Sequence, residues 1–318
     1  MRVLVTGGAG YVGSVTTARL LAAGHEVVVV DDLSTGHADA VPKGALFHHA
    51  RIDELEPVLG HWNVDAVIHF AAKALVAESV ADPALYWRNN VLGTVALLDA
   101  MRAHRVPRIV FSSTCAVYGD VASIPVDEDA PTRPTSPYGA TKLAIDLALA
   151  DYAHAFGLAA TSLRYFNVAG ALVDGDAFGE RHATETHLIP LALQVAAGTR
   201  DHLDVYGTDY PTPDGTCVRD YIHVVDLADA HIAALGIGAA GTHRILNLGT
   251  GTGYSVREVI DAVRSVTGRE VTVRETDRRP GDPALIVASN DRARAELDWQ
   301  PVRPLTEMVA DAWTFLQR

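Results

Sequence analysis

Residues 2–13 read RVLVTGGAGYVG, a short apolar run that leads directly into a glycine-rich turn. The run Arg2–Thr6 predicts a buried strand, and Val12–Ala23 predicts the helix that follows the turn. The glycines of the turn are Gly7, Gly10 and Gly13. Glycines at this spacing let the backbone turn sharply and approach a pyrophosphate, whose charge the helix N-terminus stabilises. The stretch therefore predicts a dinucleotide-binding unit.

A second apolar run, Glu26–Val30, ends at Asp31, 18 residues beyond Gly13. An acidic side chain at this point accepts hydrogen bonds from an adenosine ribose and repels a 2′-phosphate. Asp32 follows, with no arginine directly after it, so we expect NAD rather than NADP. The alternative is a glycine-rich turn beside a solvated aspartate. The order and spacing of strand, turn, helix and acid favour the cofactor site.

Short β-branched runs alternate with longer helical patterns through the first half of the chain. The remaining predicted strands are Ala45–His49, Asp65–His69, Arg108–Ser112 and Ala159–Leu163, and the longer predicted helices are Ala84–Ala103 and Ser136–Ala155. Strands that are apolar throughout are buried on both faces, as in a parallel sheet. The alternation predicts an α/β fold, a doubly wound parallel Rossmann sheet.

The second half of the chain is less regular. Gly, Asp and Pro cluster at 170–183 and 207–215, which indicates long loops, and a strand–turn–helix unit runs from Arg244 to Val266. We expect residues 1–165 to form the NAD-binding domain, with some later segments interleaved. Residues 166–318 are expected to form a smaller α/β lobe that binds substrate.

The composition excludes several classes of protein. Of the 318 residues, 26 are Lys or Arg and 39 are Asp or Glu, a formal charge of -13, so no nucleic-acid partner is expected. Cys115 and Cys217 form no C-x-x-C pair, which fits a reducing compartment. The opening MRVLVTGG lacks a signal-peptide pattern, and no run of about 18 apolar residues predicts a membrane span. We expect a cytoplasmic protein.

Tyr138 and Lys142 stand four residues apart and share one face of a predicted helix. The strand before that helix ends in hydroxyl side chains, the last being Thr114, at the carboxyl edge where open α/β sheets bind ligands. Oxidation of a sugar hydroxyl needs a base and a hydride acceptor. Tyrosine has a pKa of about 10, but an ammonium and a positive nicotinamide ring would stabilise its phenolate. On a solvated surface the pair would have no such role.

Longer segments narrow the prediction. They are HFAAKALVAES at 69–79, NNVLGT at 89–94, FSSTCAVYG at 111–119, SPYGATK at 136–142, LRYFNVAGA at 163–171, ETHLIP at 185–190 and DYPTPDGTCVRDYIHVVDLADAH at 209–231. With the glycine turn, they resemble the extended short-chain dehydrogenase/reductases and, over essentially the whole chain, the UDP-glucose (galactose) 4-epimerases. The VRDYIHV segment is particularly specific to that family and its close relatives.

The resemblance implies that a tightly held NAD+ takes hydride from C4 of UDP-glucose or UDP-galactose. The 4-keto sugar rotates, and hydride returns to its other face. Tyr138 would be the base, Lys142 would support it and the nicotinamide ribose, and Thr114 would bond the substrate hydroxyl. The resemblance also implies a homodimer through the helices at 84–103 and 136–155.

The resemblance implies the binding residues as well. For NAD they are Gly7, Gly10, Tyr11, Val12, Gly13, Asp31, Asp32, Leu33, Ser34, Ile52, Phe70, Ala71, Ala72, Lys73, Asn90, Ser112, Tyr138, Lys142 and Phe166. For the UDP-sugar they are Thr114, Tyr138, Asn167, His187, Leu188, Val205, Tyr206, Arg219, Arg279 and Asp282. Guanidinium groups bind phosphate in a fork, which suits Arg219 and Arg279. The alternative for Arg219 is a surface salt bridge, for example with Asp220.

Three positions depart from the family pattern. Many members carry an acidic residue near the adenine where this chain reads Ala50-Arg51-Ile52, and Lys73 stands one place from the corresponding lysine of some relatives. Ile286 falls where side-chain size is thought to decide between hexoses and N-acetylhexosamines, and isoleucine is intermediate.

Other functions stay open. The chain could epimerise another UDP-sugar, carrying an N-acetylhexosamine, a pentose or a uronic acid. A 4,6-dehydratase would carry an Asp-Glu pair after Thr114, where this chain has Cys115 and Ala116. A catalytically silent NAD-binding sensor would not need Tyr138 and Lys142.

No metal is expected. His48 and His49 point to opposite faces of a predicted strand, while His182 and His187 lack the helical spacing of a zinc site.

Overall fold

Seven parallel strands form the central sheet in a computed structural model, which describes residues 1–121, 123–279 and 282–318. The strands of the protein are β1 (Arg2–Thr6), β2 (Glu26–Asp31), β3 (Leu46–His49), β4 (Ala66–His69), β5 (Arg108–Thr114), β6 (Ala159–Tyr165), β7 (Asn167–Ala169), β8 (Leu203–Tyr206), β9 (Val218–His223), β10 (His243–Leu248), β11 (Gly253–Ser255), β12 (Val273–Thr276) and β13 (Leu285–Ile286). The order of the central sheet is β10-β6-β5-β4-β1-β2-β3. It confirms the predicted doubly wound α/β fold.

Helices cover both faces of this sheet. They are α1 (Tyr11–Ala22), α2 (Glu56–His61), α3 (Val76–Ala81), α4 (Pro83–Tyr86), α5 (Gly93–Ala103), α6 (Pro137–Phe156), α7 (Leu188–Ala197), α8 (Val224–Ala234), α9 (Val256–Thr267), α10 (Asp291–Leu297) and α11 (Leu305–Leu316). In β1, Val3 and Val5 pack in one apolar core with Leu227 of α8. Leu4 packs in the other with Leu97 of α5 and Ile145 of α6. Alternate residues of one strand therefore serve opposite faces.

The single helix predicted over Ala84–Ala103 is wrong in detail. The helical path contains a π-helical stretch, Trp87–Leu92, between α4 and α5. Asn90 within it is fully buried, its side chain bonds the backbone of Lys73, and its carbonyl accepts a 2.5 Å hydrogen bond from the Thr94 hydroxyl. The hydrophobic periodicity of the sequence does not reveal such a π-helical turn, because the buried side-chain amide of Asn90 finds its hydrogen-bond partners in the distant loop at Lys73.

The second half of the chain returns to the central sheet once and builds two smaller sheets. Strand β10 pairs with β6, so a late segment interleaves with the first half. Strands β11, β9, β13 and β7 form one small sheet, and β12 and β8 form the other. The division near residue 165 stays a prediction. Among the described residues, no helix combines the length and apolar character needed to cross a membrane.

Candidate active site

A cleft of about 420 Å³ lies at the carboxyl edge of the central sheet. It brings together most of the residues predicted for cofactor and substrate. These are Gly7, Gly10, Tyr11, Val12, Gly13, Asp31, Asp32, Ser34, Ile52, Phe70, Ala71, Ala72, Lys73, Ser112, Thr114, Tyr138, Lys142, Phe166, Asn167 and His187. Parallel strands end together at this edge, so residues distant in sequence meet there.

The glycine turn forms one wall of the cleft. Gly7 has φ +72°, and a Cβ added at Gly13 would lie 2.1 Å from the Gly7 carbonyl oxygen. A Cβ at Gly10 would meet only that same oxygen, at 3.4 Å. No side chain in the described part of the chain caps the N-terminus of α1, and its first turn carries no acid. Free amides and a positive dipole end therefore face the cleft, which fits a pyrophosphate.

Asp31 lies at the end of β2 with its side chain buried in the same wall. Its carboxylate accepts hydrogen bonds from the amides of Ala9 at 3.0 Å and Leu33 at 2.8 Å. Burial raises the pKa of Asp31, and the two amides partly offset this. Because each carboxylate oxygen has two acceptor sites, the group can still accept from ribose hydroxyls. Leu33 itself does not line the cleft.

Near the expected adenine position, the cleft is lined by Ala50, Arg51, Ile52 and Asp53. Arg51 and Asp53 form a two-pronged salt bridge, with Nε–Oδ1 at 2.9 Å and Nη2–Oδ2 at 3.1 Å. Asp53 therefore places an acid in this part of the cleft, one position beyond 50–52, and that acid is paired with Arg51. It lies in the short 3-10 turn Ile52–Glu54.

The loop after β4 is held by Asn90. Its carboxamide accepts from the Lys73 amide at 2.9 Å and donates to the Lys73 carbonyl at 3.0 Å. Lys73 lines the cleft, and its Nζ donates to the Ser34 hydroxyl at 3.2 Å. Asn90 does not line the cleft, so its place is behind the loop rather than at the ligand.

The Tyr-Lys pair is positioned by the start of α6. The Ser136 hydroxyl accepts from the Gly139 amide at 3.1 Å and Pro137 opens the helix, so the predicted helix start is confirmed. Lys142 donates to the Ser112 carbonyl at 2.7 Å, and its Nζ lies 5.9 Å from the centre of the Tyr138 ring. The structure therefore brings Tyr138, Lys142 and Thr114 to one wall of the cleft.

Burial dominates the protonation of this pair. It raises the pKa of Tyr138 well above 10, although a hydrogen bond with Thr114 opposes the shift. Burial also lowers the pKa of Lys142 to about 7, while nearby Asp146 opposes it. The expected stabilisation of the phenolate rests on the ammonium together with a bound nicotinamide ring, so it stays a prediction. Lys142 Nζ donates to the Ser112 carbonyl, and desolvation of the two side chains disfavours the charged form of each.

A buried ion pair lies one helical turn beyond Lys142. Arg164 of β6 donates to Asp146 from Nε at 3.0 Å and from Nη2 at 2.8 Å, and both side chains are 3% exposed. Ser113 of β5 donates to the same carboxylate oxygen at 3.3 Å. This network joins α6 to two strands of the sheet and so fixes the height of the Tyr-Lys face above the cleft.

The expected uridine-diphosphate residues form a second group. Arg219 pairs with Asp282 at 2.6 Å, and the Arg279 guanidinium lies 3.7 Å from the centre of the Tyr206 ring. Pairing of Arg219 with Asp220 is wrong, because Asp220 is buried and accepts backbone amides of Thr250 and Ala288. Leu188 begins α7, and Val205 is buried in β8. None of these residues lines the 420 Å³ cleft.

Residues that were not predicted from the sequence to bind cofactor or substrate also line the cleft. Tyr165 ends β6, and its hydroxyl bonds the Ser112 hydroxyl. Burial raises its pKa to about 12. Glu180 and His182 line the cleft beside His187. Tyr165 stood in the quoted LRYFN segment, whereas Glu180 and His182 lie in a loop whose path only the fold determines.

The chain is similar to known proteins over nearly its whole length. The profile described as "NAD dependent epimerase/dehydratase family" matches residues 3–249. The UDP-glucose 4-epimerase of Corynebacterium glutamicum is 54% identical over 317 residues, covering 99% of this chain and 95% of that protein. The crystal structure of the Brucella ovis UDP-glucose 4-epimerase with NAD has a TM-score of 0.94 and 47% identity, covering 98% of this chain and 97% of that one.

A third relative was crystallised with two ligands. The UDP-glucose 4-epimerase of Stenotrophomonas maltophila, with bound NAD and formylated UDP-arabinopyranose, has a TM-score of 0.95 and 41% identity. The match covers 100% of this chain and 98% of that one.

Proposed function

The chain belongs to the NAD-dependent epimerase/dehydratase family, and on that basis we propose that it is a UDP-glucose 4-epimerase that uses NAD. The observation that carries the proposal is the meeting of Tyr138, Lys142 and Thr114 with the glycine turn in one cleft. We place the enzyme in galactose and nucleotide-sugar metabolism.

The cofactor fits the residues present. The glycine turn and the uncapped start of α1 would hold the pyrophosphate, Asp31 the adenosine ribose, and Phe166 and Lys142 the nicotinamide half. Bound there, NAD+ would supply the acceptor, and then the donor, of the hydride that the sugar carbon exchanges.

The chain's own residues move the proton. Tyr138 takes the proton of the C4 hydroxyl as a base and returns it to the same oxygen as an acid. Thr114 holds that oxygen by a hydrogen bond. Lys142 supports the phenolate from its place at the Ser112 carbonyl, 5.9 Å from the ring centre. Because burial raises the tyrosine pKa, the phenolate needs a further positive charge in the cleft.

Arg219 and Arg279 are proposed to bind the diphosphate, with Asn167, His187, Leu188, Val205, Tyr206 and Asp282 completing the nucleotide site. Arg219 would exchange its salt bridge with Asp282 for a phosphate. Local guanidinium groups offset the repulsion that the net charge of -13 exerts on an anionic substrate.

The hexose reading is favoured over other UDP-sugars, because the relatives reported above are UDP-glucose 4-epimerases. Ile286 is 9% exposed and packs with Phe166 and Val117, so it is proposed to act on sugar choice through Phe166 rather than by direct contact. The two free cysteines support a cytoplasmic location.

A homodimer is proposed through the helices at 84–103 and 136–155, which include α5 and α6; α3 and α5 each pack against α6. With the π-helical stretch, they expose large apolar side chains at Val76, Val80, Trp87, Leu92 and Leu147, between 43% and 64%. Solvent-exposed apolar residues on adjacent helices are typical of a subunit interface.

The test is direct. Denaturing the purified protein should release NAD, and native enzyme incubated with UDP-glucose should form UDP-galactose. Tyr138→Phe should abolish this turnover while the protein keeps its NAD, because the phenol is lost but the cofactor wall is intact. Inertness toward UDP-glucose alongside turnover of another UDP-sugar would redirect the assignment. Wild-type activity in Tyr138→Phe would disprove the role of the base.

A further inference from the structure

Four metal-binding side chains converge in the segment that leads into α7. Glu180, His182, Glu185 and His187 each offer one ligand atom, and these four atoms all lie within 4.8 Å of one another. The Glu180 Oε1 atom is 2.9 Å from Nδ1 of His182 and 2.5 Å from Nδ1 of His187. Glu185 Oε2 is 4.0 Å from Nδ1 of His182, and Glu185 Oε1 is 3.1 Å from Nδ1 of His187.

The two carboxylates of this cluster are buried. The side chains of Glu180 and Glu185 are 8% and 9% exposed, whereas those of His182 and His187 are 35% and 49% exposed. Buried carboxylates need a compensating positive charge close by. Among the described residues, only the two histidines form ion pairs with these glutamates. The two histidines are therefore the partners that hold both glutamates in one compact cluster.

The position of the cluster adds to this requirement. Glu180, His182 and His187 line the same cleft as the glycine turn, where a pyrophosphate is expected. Two carboxylates beside that turn oppose the approach of an anion unless a cation offsets their charge. A divalent cation between them would remove the repulsion.

The donor set matches a specific metal. Tetrahedral zinc binds imidazole nitrogen and carboxylate oxygen at about 2.0–2.2 Å, so its ligands stand about 3.3 Å apart. The four distances above lie between 2.5 and 4.0 Å and surround that value. Mixed imidazole and carboxylate donors favour zinc over magnesium or calcium, which prefer oxygen alone.

We propose that Glu180, His182, Glu185 and His187 bind one zinc ion, which ties the segment before α7 into the wall of the cleft. The prediction from sequence that no metal is bound considered only the spacing of the two histidines. It did not include the two glutamates. Metal on Nδ1 of His187 leaves a proton on Nε2, so the same ring can still donate to a ligand in the cleft.

The segment is also anchored on its outer side, which preorganises the four ligands. Arg181, between two of them, forms a two-pronged salt bridge with Asp39 at 2.8 and 2.9 Å. The Arg181 carbonyl lies 3.0 Å from His37 Nε2. A metal site whose loop is already held loses less conformational entropy on binding.

The experiment measures zinc in the full-length protein with its NAD retained, so it does not depend on the proposed reaction. After treatment with a chelator, zinc titration should show about one ion per chain. Cobalt in its place should give the visible absorption of four-coordinate cobalt. His182→Ala and Glu185→Gln should each weaken zinc binding at least about tenfold. NAD content and circular dichroism report whether these variants fold.

A matched control is His202→Ala, which removes a histidine 3.5 Å from the Asp204 carboxylate on β8. It should leave zinc binding unchanged. The proposal is overturned if wild-type protein takes up no zinc, which would make the cluster an ion-pair network only. Equal zinc binding in wild type and in folded His182→Ala and Glu185→Gln would overturn it too.

Discussion

Gly10 and Gly13 belong to one turn, yet they serve different purposes. Gly10 has extended backbone angles, φ -86° and ψ 177°, which any residue adopts, and space around a Cβ. Gly13 has no such space, because its Cβ would press on the Gly7 carbonyl. Gly10 therefore leaves room for a ligand, whereas Gly13 leaves room for the Gly7 carbonyl of the protein itself.

We expect Gly10→Ala to weaken NAD binding while the free energy of unfolding of the NAD-free protein changes by less than about 1 kcal/mol. Gly13→Ala should weaken NAD binding and should also lower the free energy of unfolding by about 1–3 kcal/mol, because the turn must move away from α1. NAD titration and urea unfolding measure the two effects. Equal stability losses in both variants would contradict this division of roles.

At the scale of a single element, the start of α6 decides where the catalytic face lies. Tyr138 is the second residue of the helix, so the cap at Ser136, two residues earlier, controls its place directly. The side chain of Ser136 satisfies an amide that would otherwise lack a partner. The cap therefore links helix stability to the position of the base.

Ser136→Ala should cost about 1 kcal/mol of unfolding free energy. We also expect kcat to fall more than KM rises, because Tyr138 touches the reacting oxygen. Chemical unfolding and steady-state kinetics test this.

Gly268→Ala provides the matched control. This glycine ends α9 with φ +65°, so alanine there costs about 1–2 kcal/mol, and the residue does not line the cleft. Its kcat should equal the wild-type value. If Ser136→Ala lost the same stability with unchanged kcat, the cap would be structural only.

For the whole molecule, the exposed apolar helices predict an association that single residues can break. Leu147→Glu on α6, where the leucine is 62% exposed, should convert the expected dimer to monomer, because an unpaired carboxylate would be buried at the interface. Sedimentation or light scattering measures the change.

Val302→Glu is the comparison for that variant, since Val302 is 65% exposed but lies outside α3, α5 and α6. It should sediment as wild type does. A monomeric wild-type protein, or a dimer that survives Leu147→Glu, would refute the predicted interface.

The stability of the whole molecule should fall in acid because of buried neutral histidines. Burial lowers the pKa of His69 to about 3 and that of His231 to about 4, from 6.5. The unfolded chain binds protons below pH 6.5 that the folded chain does not, so stability is full above pH 6.5 and falls as pH drops toward 4. Together the two histidines give the free energy of unfolding a slope of about 3 kcal/mol per pH unit near pH 5.

His231→Gln should reduce that slope by about half of this contribution, measured by urea unfolding at fixed NAD concentration between pH 6.5 and 4. The same change at His154, which is exposed on the surface of α6, is the comparison variant. An unchanged slope in His231→Gln would show that this ring does not titrate as expected.

The central sheet, the glycine turn and the Tyr-Lys face could all be predicted from the amino-acid sequence. These are local patterns: apolar strands buried on both faces, glycines at fixed spacing, and a helix whose cap stands directly before it. The bounds of β1 agree residue for residue, and α6 differs by one residue at each end. The resemblance to a family reached the same cleft residues by motif.

Only the tertiary structure shows the features that depend on residues distant in sequence. It turned the helix near Asn90 into a π-helical stretch, because a buried amide found the backbone of Lys73. It paired Arg219 with Asp282, 63 residues away, rather than with its neighbour Asp220. It also brought Glu180 and Glu185 to two histidines and buried them. Burial and long-range pairing are properties of the packed molecule, so no local pattern encodes them.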